Sequence, residues 1–353
     1  MADERGEGRW EALRRSLEEL PQHPRTFADP RTWWFRTKRR LDFALHVRHE
    51  WARRLARTNP YPSPFQHVKV PTEDGVEIAA WLGPQHLDAP SDWGLVVVPG
   101  MFATKDDTVH KARAIHMHRH WRIPVLAIDL RAFGESPGIA TAGWKEALDV
   151  HGAARFLRDQ TGVRRVGVVA ESLGGAAAIN ALAHDAVTNE NLLSAGVLCW
   201  SAFMDAKDAV HAISHKPAHG DPFGAAWKGF RQLLRAKSAG AYERFDELMA
   251  DVARVYGLDD VEELYDLANP KWRAPLIRQP TLLVHSIDDP VVPVRHARRM
   301  ERYAEGHDNV QVLVTSWGGH TGFEALDPVW FWEVMRRFFG EANGVRLPSL
   351  AKA

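Results

Sequence analysis

The feature that most constrains this chain is a strand that breaks at a serine and restarts as a helix. The apolar run Val166-Gly167-Val168-Val169-Ala170 ends at Glu171-Ser172. Leu173-Gly174-Gly175 then opens the small-residue run Ala176-Ala177-Ala178-Ile179-Asn180-Ala181-Leu182. Sequences of this kind hold a serine exposed on a strained turn between strand and helix. Gly174, two positions after the serine, lets the helix leave the strand without a Cβ clash. The helix N-terminus behind Ser172 aims backbone N–H groups at negative charge developing nearby. The pattern is G-x-S-x-G with Ala170 in place of the first glycine. A serine that only caps an ordinary helix produces the same window. The choice therefore depends on whether an acid and a histidine stand further along the chain in the right order.

With 353 residues the chain can bury a large core, as one elaborated domain or two modest ones. Lys+Arg and Asp+Glu balance at 45 each, so no overall field points to nucleic acid or an anionic membrane. The only cysteine, Cys199, lies inside Ala195-Gly196-Val197-Leu198-Cys199-Trp200 and reads as a buried thiol. The polar start of the chain lacks the apolar core of a signal peptide. No apolar run approaches a membrane span, so the expected location is the cytoplasm.

Residues 1–59 read as a helical N-terminal extension. Trp10, Leu13, Leu17 and Leu20 recur at helical spacing and stop at Pro21. A second helix is expected over residues 32–55. Between residues 31 and 55, eight Lys/Arg stand against two Asp/Glu. A helix packed on the main domain with a solvated basic face is favoured there over a membrane-surface helix. Asn59-Pro60-Tyr61-Pro62-Ser63-Pro64 forms a stiff joint.

Two short strands, 66–70 and 76–82, come next. Strands and helices then alternate: strand 93–99, helix 108–121, strand 124–130, helix 144–159, strand 166–170 with its helix, and strand 193–200. That rhythm predicts a parallel sheet with helices on both faces. It breaks over residues 202–278, which read as helices, including 225–235 and 242–256, with a loop at 215–222. It resumes with strand 281–285, helix 295–304, strand 310–315 and a closing helix, 329–339. The expected organisation is a core of residues 60–201 and 279–343, with residues 202–278 as a helical cap.

A serine hydroxyl needs a base to become a nucleophile near neutral pH, and that base needs an orienting acid. Strand 281–285 ends in Ser286-Ile287-Asp288-Asp289-Pro290, and strand 310–315 ends in Ser316-Trp317-Gly318-Gly319-His320. Both loops fall at the carboxyl edge of the sheet, where open α/β sheets bind their ligands. Ser172, an Asp and His320 thus follow one another in the order of one particular hydrolase architecture. Asp289 lies four residues after His285, the usual offset of this acid, while Asp288 reads as support for the turn. His285 reads as structural. For an oxyanion, the two backbone donors are Leu173 and, after Val96-Val97-Val98-Pro99-Gly100, Met101, with Phe102 as the alternative. The loop from Asp129 to Ser136 is expected to buttress the site and carry no chemistry.

Residues 66–340 resemble the α/β-hydrolase superfamily. The motifs are Ser172-Leu173-Gly174-Gly175, the stretch Leu282-Leu283-Val284-His285-Ser286-Ile287-Asp288-Asp289-Pro290 and Gly318-Gly319-His320-Thr321-Gly322-Phe323. The nearest branch is the YheT-like esterases, although Pro99-Gly100 replaces the usual His-Gly and Ala170 replaces Gly. The resemblance implies an α/β-hydrolase fold and ester hydrolysis with no cofactor and no metal. The expected partner is a small-molecule ester, with no nucleic acid. Apolar residues in the insertion, among them Phe203, Met204, Phe223, Trp227, Phe230, Leu233 and Leu234, favour an apolar acyl or aromatic group. The alternatives are an acyltransferase or thioesterase using the same three residues, and a non-catalytic binding module. Oligomeric state is not encoded in any of these patterns.

His110, His116, His118 and His120 share one expected helix without an acidic third ligand, so a surface cluster is favoured over a metal site. Asp106-Asp107 reads as the cap of that helix. A dehalogenase or epoxide hydrolase would carry Asp at the position of Ser172. Neither G-x-x-x-x-G-K-[ST] nor G-x-G-x-x-G occurs, which removes support for nucleotide binding.

Overall fold

The computed structural model describes residues 4–20, 61–215, 241–242 and 244–349. The expected helices 32–55 and 225–235 and the loop 215–222 fall wholly or almost wholly outside these residues.

Eight strands form one sheet in the order β1-β2-β4-β3-β5-β6-β7-β8. They are β1 (Gln66–Pro71), β2 (Glu77–Gly83), β3 (Trp93–Val98), β4 (Val125–Ile128), β5 (Arg165–Glu171), β6 (Val197–Trp200), β7 (Thr281–Ser286) and β8 (Val310–Thr315). β2 is antiparallel to both β1 and β4, and the remaining pairings are parallel. Parallel strands covered on both faces read as continuous apolar runs. β3 and β7 accordingly bury every residue, and β5 all but its first.

Alternation along the strands feeds two cores. Val96, Val98, Val168 and Ala170 face one, while Leu95, Val97 and Val169 face the other. The first core is covered by α3 (Glu146–Thr161) and α4 (Leu173–Thr188). The second is covered by α1 (Glu4–Glu18), α2 (Thr108–His116) and α10 (Pro328–Asn343). Leu13, Leu17 and Leu20 of the N-terminal segment are buried here, and Ser16 Oγ accepts a 2.8 Å bond from Arg337. The first expected helix is therefore docked on the core.

Between β6 and β7 the described residues are helical: α5 (Ala206–His215), α6 (Phe245–Val255), α7 (Val261–Ala268) and two 3₁₀ turns, Pro270–Trp272 and Ala274–Leu276. After β7 come α8 (Arg295–Tyr303) and, past β8, the short α9 (Phe323–Leu326). The single helix expected over 108–121 is α-helical to His116 and widens to a π-turn over Met117–Trp121. The wider turn keeps Met117 and Trp121 buried while His118 Nε2 meets the Pro84 carbonyl at 2.9 Å. Among the described residues no helix is long and apolar enough to cross a membrane.

Candidate active site

The sheet changes winding direction between β3 and β5, and Ser172 follows β5 at that crevice. Its backbone is held at φ 50°, ψ −114°, outside the comfortable regions for a side chain. Close approaches on both sides explain the strain. A Cβ on Gly174 would stand 2.4 Å from the Pro99 carbonyl oxygen, and one on Gly175 2.7 Å from Ala202 Cβ. Only glycines let α4 start this close to β3 and β6. The Ser172 amide donates to Trp200 O (2.9 Å), which ties the turn to β6.

Three side chains meet at this edge. His320 Nε2 lies 3.0 Å from Ser172 Oγ, and His320 Nδ1 lies 3.0 Å from Asp289 Oδ2. The other oxygen of Asp289 accepts the amides of Val291 (2.8 Å) and Val292 (2.9 Å), leaving Oδ2 for the imidazole. Burial opposes ionisation of Asp289, but the charge and hydrogen bond of His320, with His285 and the Val291 amide, hold its carboxyl below the usual range. Asp288 points elsewhere. Its Oδ1 accepts from Ser286 Oγ and from the Gly319 amide (2.7 Å), tying the β7 loop to the histidine loop. His285 is fully buried, with Nε2 2.8 Å from the Val292 carbonyl, and burial lowers its pKa.

The histidine loop is shaped by its glycines and anchored by aromatics. A Cβ on Gly318 (φ 134°) would strike the Phe323 ring at 2.0 Å. Trp317 and Phe323 are completely buried and pack with Trp330 (centroids 4.9 and 5.9 Å). The β3 loop reaches the serine from the other side, where a Cβ on Gly100 would come 3.2 Å from Ser172 Cβ. Gly100 O accepts from Ala103 N (3.2 Å), which puts Met101 and Phe102 (φ 64°) at the centre of a turn beside the serine. Leu173 is the first residue of α4, where N–H groups lack a partner within the helix.

Directly behind the serine lies a charged cluster that the sequence reading missed. Glu171 accepts from Arg113 Nη1 at 2.5 Å and meets His110 Nε2 at 3.0 Å. Arg113, 2% exposed, also bonds Glu324 at 2.6 Å, and Trp332 Nε1 donates to the other oxygen of Glu324 at 3.1 Å. One guanidinium thus joins the residue before Ser172 to the helix just after His320. Burial would raise the pKa of Glu171, but the charge of Arg113 and the bond to His110 outweigh it and keep the carboxylate ionised. The signal was present: an acid ending an otherwise apolar strand, and His110 and Arg113 one helical turn apart. Arg113→Met should leave Glu171 buried without its main counter-charge and cost about 3–5 kcal/mol. Urea unfolding measures this, and a loss below about 1 kcal/mol would show that the pair is not structural.

The surface-cluster reading of the four histidines is corrected for His110 and His118 and holds for the exposed His120 and the partly exposed His116. His110 and His118 are buried and engaged within the fold, while His116 pairs with His120 at 4.4 Å and with Trp332 at 4.1 Å. Burial, then the charge of His120, pushes His116 down to about 4. Asp107 sits at the N-cap of α2, but its carboxylate turns back to Thr104 N and Oγ1 (both 2.9 Å). The Asp129 loop is a charge-paired brace: Lys105 Nζ bonds Asp129 (2.9 Å), Asp106 (2.8 Å) and Glu135 (2.6 Å). Cys199 is a free, fully buried thiol whose pKa burial pushes up to about 12.

A mostly parallel sheet with a strained serine after its central strand, and an acid and a histidine on the loops after its last two, is the α/β-hydrolase architecture. The model of the Alpha/beta hydrolase family matches residues 95–334, and the chain belongs to that family. Among solved structures it is similar to the Pyrococcus furiosus esterase Pf2001 (19% identity, TM-score 0.55, covering 78% of this chain and 93% of that one). It is also similar to the α/β hydrolase GrgF from Penicillium sp. sh18 (16% identity, TM-score 0.55, 80% and 99% covered). These likenesses are of fold. A 99-residue stretch is 32% identical to proteins named phospholipase ABHD3 from Homo sapiens and Bos taurus. That stretch covers 28% of this chain and only 22% of either relative.

Proposed function

We propose that this family member is a serine hydrolase that cleaves carboxylic esters through an acyl-enzyme. The observation that carries the proposal is the continuous chain Ser172 Oγ, His320 Nε2, His320 Nδ1, Asp289 Oδ2, with 3.0 Å at both junctions. In the first half-reaction Ser172 Oγ attacks the ester carbonyl while His320 Nε2 takes the hydroxyl proton. The tetrahedral oxyanion is bound by the amides of Leu173 and Met101, with Phe102 the alternative donor in the same turn. Collapse breaks the bond to the alcohol, and His320 delivers its proton to that oxygen. A water then attacks the acyl-enzyme with His320 again the base, releasing the acid and restoring Ser172. Asp289 holds the imidazole with Nδ1 protonated and stabilises the imidazolium. The chemistry calls for neither metal nor cofactor.

The acyl side of the substrate is proposed to be apolar. Phe102, Phe133 and Phe203, on the loops after β3, β4 and β6, are buried side chains at the edge that carries the serine. The insertion of residues 202–278 is proposed to cap this edge, and its residues Phe223, Trp227, Phe230, Leu233 and Leu234 lie outside the described region. Each methylene buried contributes ~0.8 kcal/mol, about fourfold in specificity. With p-nitrophenyl esters, kcat/KM should rise by a few-fold per carbon from acetate to at least hexanoate. A preference for acetate with steep loss at butyrate would show that the pocket is closed to chains. The YheT-like resemblance and the phospholipase name of the mammalian relatives make glycerophospholipid esters the next series to assay.

A further inference from the structure

We infer that Glu73, His151 and His184 form a binding site for a zinc-type transition-metal ion, remote from Ser172. The three residues come from separate elements: Glu73 from the turn between β1 and β2, His151 from α3 and His184 from α4. The turn and α3 are pressed together beside the site, because a Cβ on Gly152 would stand 3.0 Å from the Pro71 carbonyl oxygen. His184 lies about 18 Å along α4 from Ser172 at ~1.5 Å per residue. The site is thus separate from the proposed ester chemistry.

Three observations carry the assignment. First, one potential ligand atom from each residue lies within 4.8 Å of the other two. The imidazoles of His151 and His184 face each other edge to plane, with centroids 4.6 Å apart at 84°. Glu73 Oε2 already meets His184 Nε2 at 2.9 Å. Second, His151 is 1% exposed and its Nε2 makes no hydrogen bond, an expensive state for a buried ring nitrogen. Third, that nitrogen is 3.6 Å from Asp185 Oδ1, a carboxylate fixed by the amides of Leu192 (2.9 Å) and Leu193 (3.2 Å) and by Gln279 Nε2 (2.9 Å). With His151 ligating through Nδ1, Nε2 carries the ring proton, and a fixed carboxylate facing that nitrogen is the usual outer support of a ligating histidine.

Two imidazoles and one carboxylate suit zinc, at about 2.0–2.2 Å per ligand. Ligands around one such ion stand roughly 3.3 Å apart, so separations of up to 4.8 Å must close by up to about 1.5 Å. His184, partly exposed, can turn toward the buried His151, with Glu73, half exposed on its turn, following it. The contrasting cluster of Asp106, Asp129 and Glu135 already holds a cation, the ammonium of Lys105, at its centre. The His116–His120 pair has no third ligand grouped with it among the described residues.

The test is calorimetric titration of ZnCl₂ into the full-length, tag-free, chelator-treated protein, with thermal melting alongside. One ion should bind per chain and raise the melting temperature. His184→Ala and Glu73→Gln, both partly exposed positions, should each weaken binding by ~100-fold or more, beyond the ~10–100-fold that losing an outer partner costs. His120→Ala should leave affinity unchanged. Binding that survives both Glu73→Gln and His184→Ala, that disappears in His120→Ala, or that never saturates would overturn the assignment. Because the readout is metal affinity, the result stands apart from whether Ser172 hydrolyses esters.

Discussion

Ser172→Ala is expected to lower ester turnover by ~10⁶, the scale seen when the nucleophile of a serine triad is removed. The substitution deletes one atom, Oγ, whose partner is His320 Nε2 at 3.0 Å. It retains the Cβ that packs against Gly100 and demands the same φ of 50°. The variant should therefore melt with the wild type, and the loss should appear in kcat. A folded Ser172→Ala protein with more than about a hundredth of the wild-type rate would remove the serine from the mechanism.

The second large effect separates two adjacent acids. Asp289→Asn should reduce kcat by ~10⁴, and the reason is the tautomer of His320. In the structure Asp289 Oδ1 is held by the Val291 and Val292 amides, so Oδ2 alone faces His320 Nδ1. An asparagine keeping those amide bonds presents its NH₂ to Nδ1. The imidazole must then carry its proton on Nε2, the atom that has to accept from Ser172. Asp288→Asn keeps the oxygen that accepts from Gly319 and should change the rate far less. Comparing kcat for the two variants decides the matter, and a reversed order would transfer the orienting role to Asp288.

What was legible in the sequence was periodic or punctuated. β3, β5 and β7 are apolar runs because parallel strands are buried on both faces, so their positions followed from composition alone. The serine turn was legible because Gly174 and Gly175 have no steric alternative against Pro99 and Ala202. Asp289 and His320 were legible because the topology sends the ends of β7 and β8 to the same edge as Ser172.

The misses were contacts between residues far apart in the chain. Nothing local announces that Arg113 will reach both Glu171 and Glu324. His110 looked like a member of a histidine cluster because its neighbours His116, His118 and His120 share the segment, yet it turns inward to Glu171. The π-turn at Met117–Trp121 was hidden because a helical pattern carries no mark of one widened turn. Asp107 takes the expected N-cap position, but its hydrogen-bond partner was not legible, because a carboxylate bonded into the helix and one bonded back to Thr104 share one pattern.

The most direct test of the proposed mechanism is covalent labelling of the full chain with a fluorophosphonate, with mass-spectrometric mapping of the modified peptide. One adduct per chain is expected at Ser172, absent from Ser172→Ala and slowed by ~10³ or more in His320→Ala, which lacks the base. A folded protein that takes no label, or takes it at another serine, would contradict the mechanism.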